Sequence, residues 1–254
     1  SAFDTIDVGI LCKKLELYGL SRRSVEWFRS FLTDRYQQVQ IGSKTSQTAT
    51  ISVGCPQGSL LSPLLFILYV ADLELWVRHV TIHGYADDFT TSASSQCEED
   101  VQRKLEADAA VILRFMASNC LSANAQKTGL MVIRSSRNSG PCSVEVGGVQ
   151  VLEENKHSIL GIIVNNNLTW QDHVYEKGGL LSSVRYRVGT LRRLSYQIPL
   201  SYLPRIASAI IGAKIRYGIA VYGAVRKNAS EPITTANKDL QVALNDAMRI
   251  ATNC

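Results

Sequence analysis

The sequence changes character near residues 168–172, and this change constrains the fold more than any other feature. Before it, short alternating segments with Gly-rich turns are interspersed with helical patterns. After it, apolar residues recur at helical spacing, which predicts helices near 172–195, 200–216 and 234–252. We therefore expect an α+β part followed by an all-α part.

The α+β part can be divided further by its periodicity. We expect two helices over 8–33 broken at Gly19, and a hairpin that turns at a Gly-Ser pair in "RYQQVQIGSKTSQTATISVGC". A second hairpin is predicted for "VTIHGYADDFTTSAS", with its turn at the acids. The remaining predicted elements are a buried apolar helix over 58–76, an amphipathic helix over 97–119, and strands at 128–134, 143–146, 149–152 and 158–166.

Composition narrows the class of protein. The 254 residues carry a net charge of +5, which is compatible with a polyanionic partner. No apolar run reaches the roughly 18 residues that a membrane span needs, so we expect no membrane partner. The six cysteines are scattered without a CxxC pair, which is typical of an intracellular, reduced protein.

The adjacent acids Asp87 and Asp88 in "YADD" raise a chemical question, because two neighbouring carboxylates repel each other. Either they lie in a solvated turn or a cation neutralises them. Mg²⁺ takes oxygen ligands and commonly uses one or two protein carboxylates, with phosphates completing its shell. If a cation binds here, Asp87 is the expected ligand and Asp88 assists.

Two other segments carry candidate functional residues. In "GCPQGS", Gly54 and Gly58 allow close approach of the backbone to a ligand, and Gln57 offers both a donor and an acceptor. Lys127, in "NAQKTGLMV", is predicted at the entrance of a strand, where a lysine is a candidate for protonating a leaving phosphate. The alternative for "GCPQGS" is an ordinary loop before a core helix. The alternative for Lys127 is a surface lysine.

These segments, in this order, resemble the reverse transcriptases of non-LTR (LINE-type) retrotransposons. The similarity covers nearly all of the chain. The matching segments are "SAFDTID" (end of motif A), "GCPQGSLLSPLLFILYVADL" (motif B), "YADD" (motif C), "NAQKTGLMV" (motif D), "LGIIVNNNLTWQDHV" (motif E, the primer grip), and "IRYGIAVYG" with "LNDAMRIAT" (thumb).

The resemblance implies an α+β fold: a reverse-transcriptase palm over residues 1–170, an antiparallel sheet backed by helices, followed by an all-α thumb over 171–254. It implies an RNA-directed DNA polymerase that copies RNA to DNA by two-metal nucleotidyl transfer with Mg²⁺ or Mn²⁺. The expected partners are an RNA template, a DNA primer and dNTPs, and the expected location is nuclear and cytoplasmic.

The resemblance also assigns roles to individual residues. Asp87 and Asp88 match the metal-binding and catalytic aspartates of motif C, and Lys127 matches the catalytic lysine of motif D. Gln57 and Gly58 match the motif B residues that line the nucleotide and template. A further match, Phe3, corresponds to the aromatic steric gate that crowds a ribose 2′-OH.

The chain also departs from the family pattern. The metal-binding Asp of motif A is expected three positions before Ser1, whereas Asp4 and Asp7 match later positions that are not ligands. Val8 and Cys55 replace common family residues. We therefore expect a palm-and-thumb fragment cut inside motif A, without fingers or endonuclease. Three hypotheses remain: a fragment active in its intact parent, a non-catalytic nucleic-acid-binding remnant, or an unrelated acidic metal-binding module.

A basic cluster is predicted on one helix of the C-terminal part. Arg185, Arg187, Arg192 and Arg193 are interleaved with Tyr186. Such a cluster is typical either of a surface that follows a phosphate backbone or of a solvated helical face.

Overall fold

The computed structural model describes residues 2–124, 127–134, 140–223 and 235–252. The chain divides into two compact units. The first comprises Ser1–Thr128 and Pro141–Leu152, and the second comprises Gly129–Gly140 and Glu153–Cys254. The division into palm (residues 1–170) and thumb (171–254) comes from the family resemblance, and it stays a prediction.

The described residues of the first unit form four α-helices: α1 (Val8–Leu17), α2 (Arg22–Leu32), α3 (Ser62–Val70) and α4 (Glu98–Ser118). Two 3-10 segments, Ala2–Asp4 and Ala71–Leu75, accompany them. Asp7 begins α1, because its Oδ1 accepts the Ile10 N–H at 2.8 Å. The predicted break at Gly19 is confirmed, since this glycine adopts a left-handed φ of 89°.

The strands described in the first unit form four antiparallel ladders. They pair β1 (Arg35–Gln37) with β4 (Ala49–Ile51), β2 (Gln40–Ile41) with β3 (Lys44–Thr45), β5 (Thr81–Tyr85) with β6 (Asp88–Ser92), and β7 (Ser143–Val146) with β8 (Val149–Leu152). Both hairpins predicted before residue 100 are confirmed. The strands predicted at 143–146 and 149–152 are confirmed as well, with their turn at Gly147–Gly148.

These ladders do not merge into the single antiparallel sheet that the resemblance implied. Among the described residues, each sheet has two strands. The stretch Ala2–Asp4 is a 3-10 segment, so it presents no extended edge that could add a third strand to the β5–β6 hairpin. The architecture is therefore α+β in the coarser sense of helices mixed with small antiparallel sheets.

The core of the first unit is built around α1 and α3. Leu11, Leu15, Leu65 and Tyr69 are fully buried in it, and a buried side chain of this size contributes about 1.5–3 kcal/mol. The buried apolar helix predicted over 58–76 is present over a shorter range, as α3, and it is buried on one face. Residues Leu64 and Ile67 of α3 are exposed, because only one face of the helix is packed against this core.

The second unit begins with an irregular stretch and a hairpin. The strand predicted at 128–134 is wrong, because among the described residues 127–134 a single bridge, from Leu130 to Glu153, replaces it. The strand predicted at 158–166 is a hairpin, β9 (Lys156–Ile159) with β10 (Ile162–Asn165). Leu160 and Gly161 both adopt left-handed φ values, of 50° and 78°, and this reverses the chain.

The helices described in the rest of the second unit are α5 (Gln171–Tyr175), α6 (Leu180–Leu194), α7 (Leu203–Ala207), α8 (Ala213–Arg216), α9 (Ile219–Tyr222) and α10 (Thr235–Thr252). A π-helical segment, Ser208–Gly212, joins α7 to α8. The predicted helix over 172–195 is divided in two near Gly178, whose φ is 87°. The core of this unit contains Leu191, Leu203 and Ile211, all fully buried.

None of the helices in the described part of the chain combines the length and the apolarity that a membrane crossing requires.

Candidate active site

The predicted acid pair lies at the tip of the β5–β6 hairpin. Tyr85 pairs with Asp88 across the two strands, and Ala86 turns the chain with a left-handed φ of 53°. Asp87 occupies the turn and Asp88 begins β6, and both residues are exposed. The hairpin therefore presents two carboxylates to solvent at a defined place, as the sequence predicted.

The body of this hairpin is fixed by one aromatic side chain. Phe89, directly after the acids, packs against the core of the first unit. A Cβ atom at Gly84, on the opposite strand, would lie 3.0 Å from Phe89 Cε1. Because Gly84 lacks that atom, the ring can lie across the strand and hold the tip in place.

The chain that enters β5 is held by a buried acid that sequence reasoning missed. Asp108 of α4 is 2% exposed, and its Oδ2 accepts the backbone N–H groups of Arg78, His79 and Val80 at 3.1, 2.6 and 2.9 Å. Hydrogen bonds to an ionised acceptor are stronger than neutral ones, so this carboxylate fixes the three residues before β5. The available signal was an acid at a core position of an amphipathic helix, seven residues before the buried Phe115.

The "GCPQGS" loop is held against the segment Phe3–Ile6. Cys55 N donates to Phe3 O and Gly54 N donates to Ile6 O, both at 2.8 Å. A Cβ atom at Gly54 would lie 2.7 Å from Asp4 Cα. The close approach expected at Gly54 is thus made by the chain's own backbone and not by a ligand.

Two candidate substrate-binding residues in this loop have different surroundings. Gly58 has a left-handed φ of 84° and open space around it. Gln57 Nε2 donates to both carboxylate oxygens of Asp4, at 2.8 and 3.1 Å. This hydrogen bond is the main reason that the pKa of Asp4 lies below its usual value.

Phe3 and Lys127, the other two candidates, are not joined to the acids. Phe3 is half-buried, and its ring centroid lies 4.9 Å from that of Phe66 in α3. Lys127 is exposed, and its backbone N–H bonds to Asn124 O at 3.0 Å. Within the described ranges, no hydrogen bond or ion pair links Asp87 or Asp88 to Gln57 or Lys127.

The donor set at the hairpin tip suits one kind of metal ion. Among the residues that the structure describes, no group of three or more His, Cys, Asp or Glu side chains is arranged to hold an ion. Two exposed carboxylates fit a hard divalent ion that keeps most of its shell for water and phosphate. They do not form the closed cage that a structural zinc or calcium site requires.

The predicted basic cluster on α6 is smaller than expected. Arg187 is partly buried, and its Nη1 donates to Ile210 O at 2.7 Å. Its position borders the buried face of α6, which explains why it bonds inward. Arg185, Arg192 and Arg193 are exposed, as a surface that contacts phosphates would require.

Comparison with known proteins adds independent information. Three relatives are mobile-element polymerases. The probable RNA-directed DNA polymerase from transposon X-element of Drosophila melanogaster is 25% identical over 233 residues, which are 89% of this chain and 24% of that protein. The corresponding protein from transposon BS is 26% identical over 270 residues, 100% of this chain and 28% of the relative. The RNA-directed DNA polymerase from mobile element jockey of Drosophila funebris is 26% identical over 233 residues, which are 87% of this chain and 25% of that protein.

The chain thus spans about a quarter of the length of these relatives. A family model described as reverse transcriptase (RNA-dependent DNA polymerase) matches residues 1–164, which hold the acid hairpin and the "GCPQGS" loop. The resemblance predicted from the motifs, to reverse transcriptases of non-LTR retrotransposons, is confirmed. The chain belongs to the reverse transcriptase (RNA-dependent DNA polymerase) family.

Proposed function

We propose that this chain is part of the RNA-directed DNA polymerase of a non-LTR retrotransposon, which copies RNA to DNA by two-metal nucleotidyl transfer. The observation that carries the proposal is the exposed pair Asp87 and Asp88 on an anchored hairpin, inside the region that matches the family. The partners are an RNA template, a DNA primer and dNTPs, and the sites of action are the nucleus and the cytoplasm.

The chain's own residues would act chiefly by holding and orienting the reactants. Asp87 would hold a divalent ion, Mg²⁺ or Mn²⁺, and Asp88 would assist it. When bound, such an ion neutralises phosphate charge and lowers the pKa of an attacking hydroxyl. The carboxylates suit this role because both are exposed and because the hairpin is braced by Phe89.

The remaining candidates would position the substrates. The open surroundings and left-handed φ of Gly58 leave room for a template or nucleotide to approach the backbone, with Gln57 beside it. Phe3 would crowd the ribose 2′-OH from its place against Phe66. Lys127 would donate a proton to the leaving pyrophosphate. In this proposal, residues 1–170 act as palm and 171–254 as thumb.

A second candidate function is a nucleic-acid-binding remnant without catalysis. It is favoured by the contacts that Asp4 and Asp7, the two acids that follow Phe3, make within the chain. Asp4 is bonded to Gln57, and Asp7 caps α1. Both acids therefore serve contacts within the chain, and among the described residues no third His, Cys, Asp or Glu side chain joins Asp87 and Asp88.

Primer extension on an RNA template, with Mg²⁺ and dNTPs, distinguishes the polymerase from the non-catalytic remnant. We would compare this chain, the longer polypeptide encoded by the parent element, and that polypeptide with Asp87→Asn. We expect synthesis only from the unmodified longer polypeptide, with a loss of about 100-fold or more in the variant, since an electrostatic stabiliser of the transition state is removed. An inactive longer polypeptide would favour the remnant, and full activity of the variant would remove Asp87 from catalysis.

A further inference from the structure

A cavity of about 780 Å³ lies in the first unit between α4 and the segment that leads into β5. Its polar and aromatic lining consists of Trp76, Arg78, His79, Asp108, Arg114 and Ser118. None of the residues assigned to catalysis or to substrate binding lines it. Its volume is in the range of sites that accommodate a small organic molecule, about 300–1,000 Å³.

The charges that this cavity offers to a ligand are mostly positive. The carboxylate of Asp108 is directed at three backbone N–H groups, which compensate its charge. Arg78 and Arg114 are exposed, and within the described ranges their guanidinium groups have no hydrogen bond or ion pair to a carboxylate. Guanidinium groups bind phosphate through paired N–H donors, so two of them beside His79 favour a phosphate-bearing ligand.

The cavity also offers an aromatic surface. Trp76 is 44% exposed, and its ring meets that of Phe115 edge-on, with centroids 5.5 Å apart and an interplanar angle of 77°. This contact holds the indole while leaving part of it accessible. A half-exposed indole beside cationic groups suits a ligand that combines a planar base with a phosphate.

We infer that this cavity binds a nucleoside phosphate, with its base against Trp76 and its phosphate on Arg78 and Arg114. The same chemistry is presented by a free nucleotide and by one nucleotide of a single strand. The site is separate from the residues assigned to polymerisation, and it does not depend on that activity. The anchoring of Arg78 and His79 by Asp108 gives it a preformed wall.

The test uses the 254-residue chain and three variants. The first is Arg78→Gln combined with Arg114→Gln, and the second is Trp76→Ala. The matched control is Arg23→Gln combined with Lys44→Gln, which removes the same charge from exposed positions outside the cavity. Binding of ATP, inorganic phosphate, a six-nucleotide single-stranded RNA and a hexaglutamate peptide would be measured by calorimetry. The indole N–H signal of Trp76 would be followed by NMR.

We expect the double arginine variant to weaken RNA or ATP binding at least about tenfold, and the control to change it less than about twofold. Trp76→Ala should weaken binding of the base-containing ligands and leave phosphate binding unchanged, and the indole signal should shift on binding. Binding of ATP would identify a free nucleotide as the ligand, whereas binding of RNA alone would identify a strand. Equal losses in the double variant and the control, a stationary indole signal, or peptide binding as tight as RNA binding would each overturn the inference.

Discussion

Asp108 and the pair Asp87–Asp88 are carboxylates of the same unit in opposite situations. Asp108 is buried, and its Oδ2 is saturated by three backbone N–H groups. The pair is exposed at a hairpin tip, and within the described ranges neither of its carboxylates makes a hydrogen bond or an ion pair. The carboxylate of Asp108 binds the chain's own backbone, whereas the carboxylates of Asp87 and Asp88 face solvent.

This contrast separates an acid with a structural role inside the fold from two acids without one, and it does not depend on the family. A buried carboxylate is tolerated only when its charge is compensated internally. Adjacent exposed carboxylates add nothing to the packing and repel each other, so they have no structural reason to be neighbours. In the proposed function, a cation supplied from solution compensates the charge of Asp87 and Asp88.

Replacing the buried acid should have the largest effect on stability. Asp108→Ala leaves three backbone N–H groups without their acceptor, and we expect it to lower the free energy of unfolding by about 3–5 kcal/mol. Asp87→Ala, the matched exposed change, should alter it by less than about 0.5 kcal/mol. Urea unfolding of both variants measures the difference. Equal effects would remove the distinction between the two acids.

The two left-handed glycines of the "GCPQGS" loop give a second contrast of the same kind. Gly54→Ala would place a Cβ 2.7 Å from Asp4 Cα, and we expect a loss of about 2–4 kcal/mol from collision and from backbone strain together. At Gly58 the space is open, so Gly58→Ala should cost only the strain of its φ, about 1–2 kcal/mol. Thermal unfolding of the two variants would be compared. A Gly58→Ala protein as unstable as Gly54→Ala would contradict the open surroundings.

A smaller effect is expected from the buried His173 of the second unit. Burial lowers its pKa, and the positive charge of Lys214 acts in the same direction. Above the ordinary histidine pKa of about 6.5, folded and unfolded states are both neutral and stability is complete. As the pH falls below that value, the unfolded state binds the proton first, and stability declines until the lower folded pKa is passed.

Urea midpoints measured between pH 8 and pH 5 would test this for the parent chain, His173→Gln and the exposed His83→Gln. The decline that begins near pH 6.5 should be reduced in the first variant and retained in the second. A decline that survives His173→Gln unchanged would assign it to other groups.

The smallest effect is expected on the pKa of Asp4, an exposed acid whose carboxylate does have a partner within the chain. Gln57→Leu removes the amide that donates to Asp4, so the pKa of Asp4 should rise towards its ordinary value. Carboxyl NMR titration of Asp4 in the parent and the variant measures the change. Stability should be nearly unaffected, because both residues are exposed. An unchanged pKa would show that Gln57 is free in solution and available to a substrate.

Sequence reasoning located the acid hairpin because its signals are local. Alternating residues on both sides of Ala86 and Asp87 are enough to specify two strands and a turn. The same reasoning divided α1 from α2 at Gly19, whose left-handed φ ends the first helix. Strand pairing between near neighbours and helix ends at glycine are properties of short segments, and a sequence displays them directly.

The errors came from interactions that a local pattern does not contain. Leu160 is an apolar residue that does not signal a turn, yet it adopts a left-handed φ with Gly161 and splits a predicted strand. The role of Asp108 depends on backbone groups about 30 positions earlier in the chain. Arg187 was grouped with its neighbours by charge. Because it lies at the edge of a buried face, its guanidinium group instead donates a hydrogen bond to Ile210 O.

The pairing of strands has a consequence for how the chain folds. Every two-stranded ladder among the described residues joins strands that are close in the sequence, and the most distant partners in these ladders, Arg35 and Ile51, enclose a single short hairpin. The isolated bridge between Leu130 and Glu153 spans a longer stretch, which contains the β7–β8 hairpin. Such hairpins form within microseconds because little chain entropy is lost in closing them. A two-stranded hairpin is only marginally stable by itself, so each must dissolve and re-form until the helical cores assemble. Refolding should therefore be paced by the docking of helices such as α6 and α10, whose residues lie far apart in the chain, rather than by any strand.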